Sequence, residues 1–187
     1  MKKIMFNDTY GLTKAVLEGR KTMTRRIAYI GDIQKPRSGF LTDGSVAGAI
    51  VLTDNWKIVA KSRYKVGEVV AVAQSLRDMG YDPRDTKHKS GAICAAWISK
   101  MFVSASECIH QIRITNVRVE QLQDISDEDC LREGIIKMTF DIFSFDSWKF
   151  FTHNPREAFA ALIDKVSGKG IWESNPWVWV YEFELVK

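Results

Sequence analysis

The chain has 187 residues, 45% of them hydrophobic and 27% charged, which is typical of a globular protein that forms one domain over residues 1–187. No segment is long and apolar enough to span a membrane, and the N-terminal residues lack the apolar stretch of a secretory signal peptide. Its three cysteines are too few for a disulfide framework, so we expect a cytoplasmic protein with no membrane partner.

The charge is distributed unevenly along the chain. Residues 1–90 carry 17 basic and 9 acidic side chains, whereas residues 91–187 carry 10 and 14. A basic half favours an anionic partner such as a nucleic acid or a nucleotide. The alternative is that these are solvated lysines on strand edges.

A basic cluster near the start of the chain predicts the functional site. Leu12, Ala15 and Val16 follow helical spacing, and Gly19 is placed to end that helix. The next seven residues, Arg-Lys-Thr-Met-Thr-Arg-Arg, hold four cations and two hydroxyl groups and lead into an extended segment. Fixed cations beside hydroxyl donors suit a phosphate, a carboxylate or a developing oxyanion. We therefore take Gly19–Arg26 as the centre of the candidate site.

The middle of the chain is predicted to alternate loops with short strands. Residues 28–46 are rich in Gly, Asp and Ser and are predicted to be an inserted loop. Ala47–Thr53 and Trp56–Ala60 predict a hairpin around an Asp-Asn turn. Val69–Ala73 predicts a short apolar strand. Residues 76–99 are predicted to be a second insertion.

The second half begins with a long predicted strand, Cys108–Glu120. Its apolar face switches near Asn116, which indicates a bulge. Ser126, with an acidic residue three positions later, predicts the start of a helix that ends at Gly134. Residues 135–153 are predicted to be a third insertion.

The last elements complete an α+β pattern. Pro155 suits the first position of a helix that ends at Gly168. Trp177–Leu185 alternates aromatic residues with valine and glutamate, which predicts a strand with one core face and one partly wet face. Scattered strands and short helices favour an α+β domain built on a small mixed β-barrel with flanking helices and insertions.

Four residues of the basic cluster resemble a known signature. Gly19, Lys21, Thr24 and Arg26 fit the pattern Gly-x-Lys-x-x-Thr-x-Arg, which resembles the signature of the ASCH domain family, relatives of the PUA fold. The resemblance extends to further segments, the last of which is similar to phage and prophage members of the family: Lys65–Val70, Ile114–Ser126 and Asn175–Tyr181.

The resemblance implies a PUA-like β-barrel with a cleft beside the signature loop, and RNA binding is proposed for many family members. A few members hydrolyse the acetamide of N4-acetylcytidine with a Lys, a Thr and a Glu. Lys21 and Thr24 match the first two. The position of the catalytic Glu falls at Arg113, and Gln74 replaces a further Glu that phage relatives carry in the strand after the Gly-Asp turn. Neither side chain serves as a carboxylate base.

Three hypotheses follow. The first is an RNA- or nucleotide-binding domain. The second is an amidohydrolase acting on an acylated nucleoside, with Lys21 and Thr24 catalytic. The third is a phage-derived accessory protein that binds a host protein through the aromatic segment Phe140–Phe151. No cofactor and no metal is expected. The predicted ligand-binding residues are Arg20, Lys21, Thr24, Arg25, Arg26, Gln74 and Arg113.

Overall fold

A mixed sheet of five strands carries the fold. The computed structural model describes residues 1–28, 40–46, 49–54, 57–84, 94–145 and 150–186, and for residues 40–59 it describes only the course of the backbone. The sheet has the order β1-β6-β7-β10-β2. Its strands are β1 (Lys3–Ile4), β2 (Met23–Ile27), β6 (Val69–Val72), β7 (Gln111–Gln121) and β10 (Trp177–Leu185).

The remaining strands form two smaller sheets. One is antiparallel with the order β3-β4-β5, and the other is a two-stranded pair. Short helices lie between the strands, and the longest of them is α4. The bounds are β3 Phe40–Val46, β4 Ala49–Asp54, β5 Lys57–Lys61, β8 Ile136–Lys137, β9 Phe143–Ser144, α1 Leu12–Leu17, α2 Ala95–Ile98, α3 Asp127–Arg132, α4 Pro155–Ser167 and α5 Ile171–Ser174.

The structure is α+β, as predicted, but in the described residues the five-stranded sheet is open and does not close into the predicted small mixed β-barrel. The edge strands β1 and β2 are not paired with each other. They nevertheless come close, because Nη2 of Arg26 on β2 donates to the carbonyl oxygen of Met5, 2.5 Å away, just after β1. The sheet therefore curls until its two edges face each other, and a cavity lies between them.

Several local predictions are confirmed. Gly19 follows α1 with a φ of 72°, and the Ser126 hydroxyl accepts from the backbone N–H of Asp129 at the start of α3. Pro155 opens α4, and Gly168 is its C-cap. The pairing of β7 with β10 shifts register where Asn116 lies opposite Glu182, which is the predicted bulge.

Two predictions from local composition are corrected. Residues 40–46 of the predicted loop form β3, because pairing with β4 outweighs the turn preference of the Asp, Gly and Ser residues, and the register shifts there; residues 29–39 lie outside the described residues. In β10, Val178–Tyr181 is buried on both faces, because side chains of the hydrophobic core pack on each side of the sheet there.

The aromatic segment Phe140–Phe151 divides between core and surface. Phe143 and Phe145 are buried, whereas Phe140 and Phe151 are 88% and 49% exposed. Residues 146–149 lie outside the described residues. A host-protein partner for this segment remains a prediction.

Candidate functional site

A cavity of about 650 Å³, the main cavity, lies where the two edges of the sheet face each other. Its walls come from the ends of β1 and β2, from the segment after β5 and from the apolar face of α4. Four residues of the predicted basic cluster line it: Lys21, Thr24, Arg25 and Arg26. The cluster therefore faces a partly open cavity of a size typical for small-molecule sites.

Lys21 is buried and forms an ion pair with Glu133. Its Nζ lies 2.6 Å from Oε2 of Glu133 and 2.6 Å from the backbone oxygen of the same residue. The side chains of Lys21 and Glu133 are 2% and 5% exposed. Burial lowers the pKa of Lys21, and the Glu133 carboxylate opposes part of this shift. The pair therefore places a lysine whose pKa is lowered, together with a carboxylate, inside the main cavity.

Local structure fixes this pair. The N–H of Lys21 donates to the carbonyl of Ala15 in α1, while Glu133 is the C-cap of α3. Gly134 follows with a φ of 105°, and a Cβ there would lie 3.2 Å from Cδ2 of Leu12 and 3.6 Å from Cδ of Lys21. A glycine at this position lets the end of α3 approach the lysine closely.

Arg25 is the centre of a second set of ion pairs. Its Nη2 lies 2.6 Å from Oε1 of Glu120 and 2.8 Å from Oδ2 of Asp129, and its Nη1 lies 3.2 Å from Oε1 of Glu133. Burial pulls the pKa of Arg25 down, but the carboxylates of Glu133 and Glu120 outweigh this effect and raise it. The guanidinium, 1% exposed, is thus held by the protein's own carboxylates.

The network around Lys21 and Arg25 is neutral overall. Arg118 and Arg132 join it through Asp129 and Glu182. It contains four basic side chains, Lys21, Arg25, Arg118 and Arg132, and four acidic ones, Glu120, Asp129, Glu133 and Glu182. Neither Lys21 nor Arg25 therefore supplies an uncompensated positive charge to a ligand.

The uncompensated charge comes from another group, the cationic rim, which is Arg26, Lys61 and Arg63. All three line the main cavity, and Lys61 and Arg63 are exposed. In the described part of the chain none of the three has a carboxylate within ion-pair distance. Burial lowers the pKa of Arg26, but a guanidinium stays charged at neutral pH.

Aromatic rings and one hydroxyl group complete the main cavity. Thr24 lies opposite Tyr181 across the β2–β10 pairing, and Arg26 lies opposite Trp179, so these side chains share one face of the sheet. The guanidinium of Arg26 is 5.7 Å from the centre of the Phe6 ring. Thr24 is 4% exposed, and its hydroxyl has no hydrogen-bond partner among the described residues.

Tyr64 and Tyr181 form a wall of the cavity beside Arg63. Their rings are 5.1 Å apart in an edge-to-face arrangement. The Tyr181 hydroxyl accepts from the backbone N–H of Arg63 at 3.0 Å, and the Tyr64 hydroxyl donates to the backbone oxygen of Lys3 at 3.1 Å. Burial raises the pKa of Tyr181 to about 12, so this hydroxyl stays protonated at neutral pH.

Three of the seven predicted ligand-binding residues lie outside the main cavity. Arg20 is exposed and pairs with Glu18 at 2.7 Å. Arg113 is exposed and pairs with Glu184 at 3.0 Å. Gln74 is buried and lines a different cavity. The structure therefore does not bring the seven residues together in one cleft.

The residues that complete the site were not predicted from the sequence. The sequence holds one signal for Glu133, because an acidic residue at a helix C-terminus is electrostatically unfavourable. Lys61 and Arg63 are two of the 17 basic side chains in residues 1–90. They approach Arg26 only through the tertiary fold, and nothing in their local sequence indicates this.

Neither a metal-binding cluster nor a membrane-spanning helix is found among the described residues. No group of three or more His, Cys, Asp or Glu side chains there is arranged to hold a metal ion. No helix in the described ranges is long and apolar enough to cross a membrane.

Comparison with known proteins gives one structural similarity. No protein-family model matches the sequence, and no curated protein matches it. A crystal structure of an ASCH domain from Lactobacillus crispatus JV V101 is similar over 97% of this chain and 76% of that chain, with a TM-score of 0.37 and 13% sequence identity. Similarity at this level does not by itself place the chain in that family.

Proposed function

We propose that the main cavity binds a nucleotide, either free or as part of an RNA strand. The phosphate would lie at the cationic rim and the base inside. One observation carries this proposal: three cations without a carboxylate partner among the described residues line a cavity whose walls include Phe6, Tyr64, Trp179 and Tyr181.

The rim supplies what a phosphate needs. Arg26 and Arg63 offer guanidinium groups that suit phosphate oxygens, and Lys61 adds a point charge. Lys21 and Arg25, by contrast, are neutralised by Glu133, Glu120 and Asp129, so they would contribute little net attraction. The phosphate contacts are therefore assigned to the cationic rim, of which only Arg26 belongs to the basic cluster.

The interior supplies what a base or a sugar needs. A volume of about 650 Å³ lies within the ~300–1,000 Å³ common for small-ligand sites. The hydroxyl of Thr24 is free to donate or accept a hydrogen bond. The rings of Tyr64 and Tyr181 would pack against a base, an interaction that tolerates many sequences.

The test is a titration of two probes, cytidine 5′-monophosphate and a fluorescein-labelled single-stranded RNA hexamer, at several salt concentrations. The double variant Lys61→Ala/Arg63→Ala is expected to bind the phosphate-bearing probe at least about tenfold more weakly, since a hydrogen bond to a charged group contributes about 1.5–3 kcal/mol. For the RNA probe, the salt slope should fall by about 0.7 for each phosphate group that the double variant no longer neutralises.

The matched control is Arg84→Ala, because Arg84 is an exposed arginine whose carboxylate partner is its near neighbour Asp82. It should bind like the wild type. Tight binding of the mononucleotide alone would favour a free nucleotide, and preference for the hexamer would favour RNA. Equal affinities of the double variant and the wild type would reject the proposal.

A second candidate function is hydrolysis of an acylated nucleoside such as N4-acetylcytidine. The contact of Lys21 with Glu133 favours it, because an amidohydrolase needs a carboxylate within hydrogen-bond reach of the lysine. The neutral form of Lys21, favoured by burial, would act as a base for Thr24 or for a water molecule.

This candidate is tested by incubating the protein with N4-acetylcytidine and measuring cytidine by chromatography. Thr24→Val and Lys21→Met should abolish turnover, while Arg84→Ala should keep it. No turnover by the wild type would remove this candidate and would leave the nucleotide-binding proposal intact.

A further inference from the structure

A second cavity, of about 470 Å³, lies beside α1 and is lined by residues outside the site described above. The first helix separates the two cavities, since Leu12 lines the main cavity and Thr13, Lys14 and Leu17 line the second. Asp8 and Gly11, which precede α1, also line it, and the rest of the second cavity comes from the turn after β6 and from residues 98–100. The residues from these two segments are Gln74, Ser75, Arg77, Asp78, Ile98, Ser99 and Lys100.

Gln74 is the unusual residue of this cavity. It is 5% exposed, and its Oε1 is buried without a hydrogen-bond partner. No hydrogen bond of its carboxamide is found among the described residues. Buried side-chain polar atoms almost always have a partner, so an unpaired one that lines a cavity indicates a missing partner.

The neighbouring polar groups already have partners. The Ser75 hydroxyl donates to Oδ2 of Asp78 at 2.6 Å, and Oγ of Ser99 accepts from the N–H of Met101 at 3.4 Å. Neither serine forms a hydrogen bond with Gln74. The carboxamide oxygen of Gln74 therefore has no protein partner, although the residue lines the cavity.

The charges around the second cavity are balanced, unlike those of the main cavity. Nζ of Lys100 lies 2.7 Å from Oδ2 of Asp8, and Nε of Arg77 lies 3.7 Å from Oδ1 of Asp78. Lys14 pairs with Glu18 at 3.6 Å. An uncharged ligand fits this environment better than an anion, because each cation that lines the cavity already has a carboxylate.

We propose that the second cavity binds an uncharged molecule that presents a hydrogen-bond donor beside an acceptor, and that Gln74 recognises this edge. A carboxamide offers one acceptor and two donor hydrogens side by side, so it pairs in two contacts with a complementary edge. Nucleobases and carboxamides share this edge. The proposal does not depend on what the main cavity binds.

The experiment follows the side-chain NH₂ resonance of Gln74 in ¹⁵N–¹H NMR spectra while five probes are added separately: the four ribonucleosides without phosphate, and nicotinamide. Gln74→Met keeps the length of the side chain, removes its polar atoms and identifies the resonance. At least one probe should shift this resonance with saturation, and Gln74→Met should lose the binding. Because the probe is uncharged, its affinity should change little with salt.

A second variant guards against a folding defect in Gln74→Met. Ile98 is 62% exposed and lines the second cavity, so Ile98→Trp fills space there without changing a core residue. It should also weaken binding, while Arg84→Ala should not. Tighter binding of a nucleoside or of nicotinamide shows whether Gln74 recognises a nucleobase or a carboxamide.

The opposing result is equally clear. If no probe moves the Gln74 resonance up to its solubility limit, the unpaired carboxamide is only a tolerated defect or is satisfied by water. That result would overturn this proposal without touching the nucleotide titration, which uses phosphate-bearing probes and the Lys61→Ala/Arg63→Ala variant.

Discussion

Nζ of Lys21 lies 2.6 Å from a carboxylate oxygen of Glu133, and the two side chains are 2% and 5% exposed. A buried pair of this kind is costly to break, because removal of one partner leaves the other buried without compensation. Glu133 also holds Arg25 at 3.2 Å. It therefore joins the end of α3 to two residues of the basic cluster.

Substitution of Glu133 tests how much its ion pairs with Lys21 and Arg25 contribute to stability. Glu133→Gln keeps the shape of the side chain but removes its negative charge, which leaves Lys21 and Arg25 with less compensation. We expect the free energy of unfolding to fall by about 3 kcal/mol, measured by urea denaturation. Glu18→Gln, at an exposed pair with Arg20, should cause no measurable change. Equal stability of Glu133→Gln and the wild type would show that the pair contributes nothing net.

The lowered pKa of Lys21 predicts a pH dependence of stability. The ordinary value, 10.5, applies to the unfolded chain, and burial lowers the folded value below it. Between the two values the unfolded state binds more protons, so the contribution of Lys21 to the free energy of unfolding rises with pH. It should be lowest below the folded-state pKa and should stop rising above 10.5.

The measurement is the difference in free energy of unfolding between the wild type and Lys21→Met across this alkaline window. The variant removes the titrating amine and keeps the other titrating groups, such as Tyr181, so their effects cancel. The difference should become more favourable to the wild type as pH approaches 10.5. A difference that is flat or falls with pH would show that the pKa is not lowered.

Gly134 is expected to be intolerant of a side chain. It has a φ of 105°, and a Cβ would lie 3.2 Å from Cδ2 of Leu12 and beside Lys21. Gly134→Ala should lower the free energy of unfolding by about 1–3 kcal/mol, from backbone strain and crowding. Gly11 is the control, because it also has a positive φ, 64°, but has open space around it. Gly134→Ala should cost more than Gly11→Ala in urea denaturation, and the reverse order would refute the close approach.

Arg20 distinguishes the ligand-binding site predicted from the sequence from the main cavity of the structure. The sequence groups it with the other cations of the cluster, but it is exposed and pairs with Glu18 outside the main cavity. Arg20→Ala should therefore keep the affinity for cytidine 5′-monophosphate, whereas Arg63→Ala should lose it. The measurement is isothermal titration calorimetry of both variants. A loss of affinity in Arg20→Ala would show that Arg20, and with it the basic cluster, binds the phosphate.

Local sequence patterns predicted the fold well where local physics decides it. The caps at Ser126 and Pro155, the glycine after α1 and the bulge near Asn116 all follow from backbone geometry and alternation. The closed barrel was wrong in the described residues, because whether β1 and β2 pair depends on how far the whole sheet curls. No local sequence pattern determines the curvature of the whole sheet.

The candidate site was predicted in part for the same reason. Lys21, Thr24 and Arg26 lie close together in the chain and stay together in the fold. Glu133 and Arg63 lie far away in the sequence and reach the site only by tertiary packing. The charge of Lys21 and Arg25 looked available in the sequence, but the paired carboxylates neutralise it in the fold.

Phosphate binding at the cationic rim is best tested by an NMR titration of the wild type with cytidine 5′-monophosphate, followed through backbone amide resonances. We predict that the largest shifts fall on residues 24–26 and on Lys61, Arg63 and Tyr64, which line the main cavity and hold the cationic rim. We also predict that Lys61→Ala/Arg63→Ala removes these shifts. Shifts centred on Arg20 and Glu18, or the same shifts in the double variant, would contradict the assignment of the phosphate to the rim.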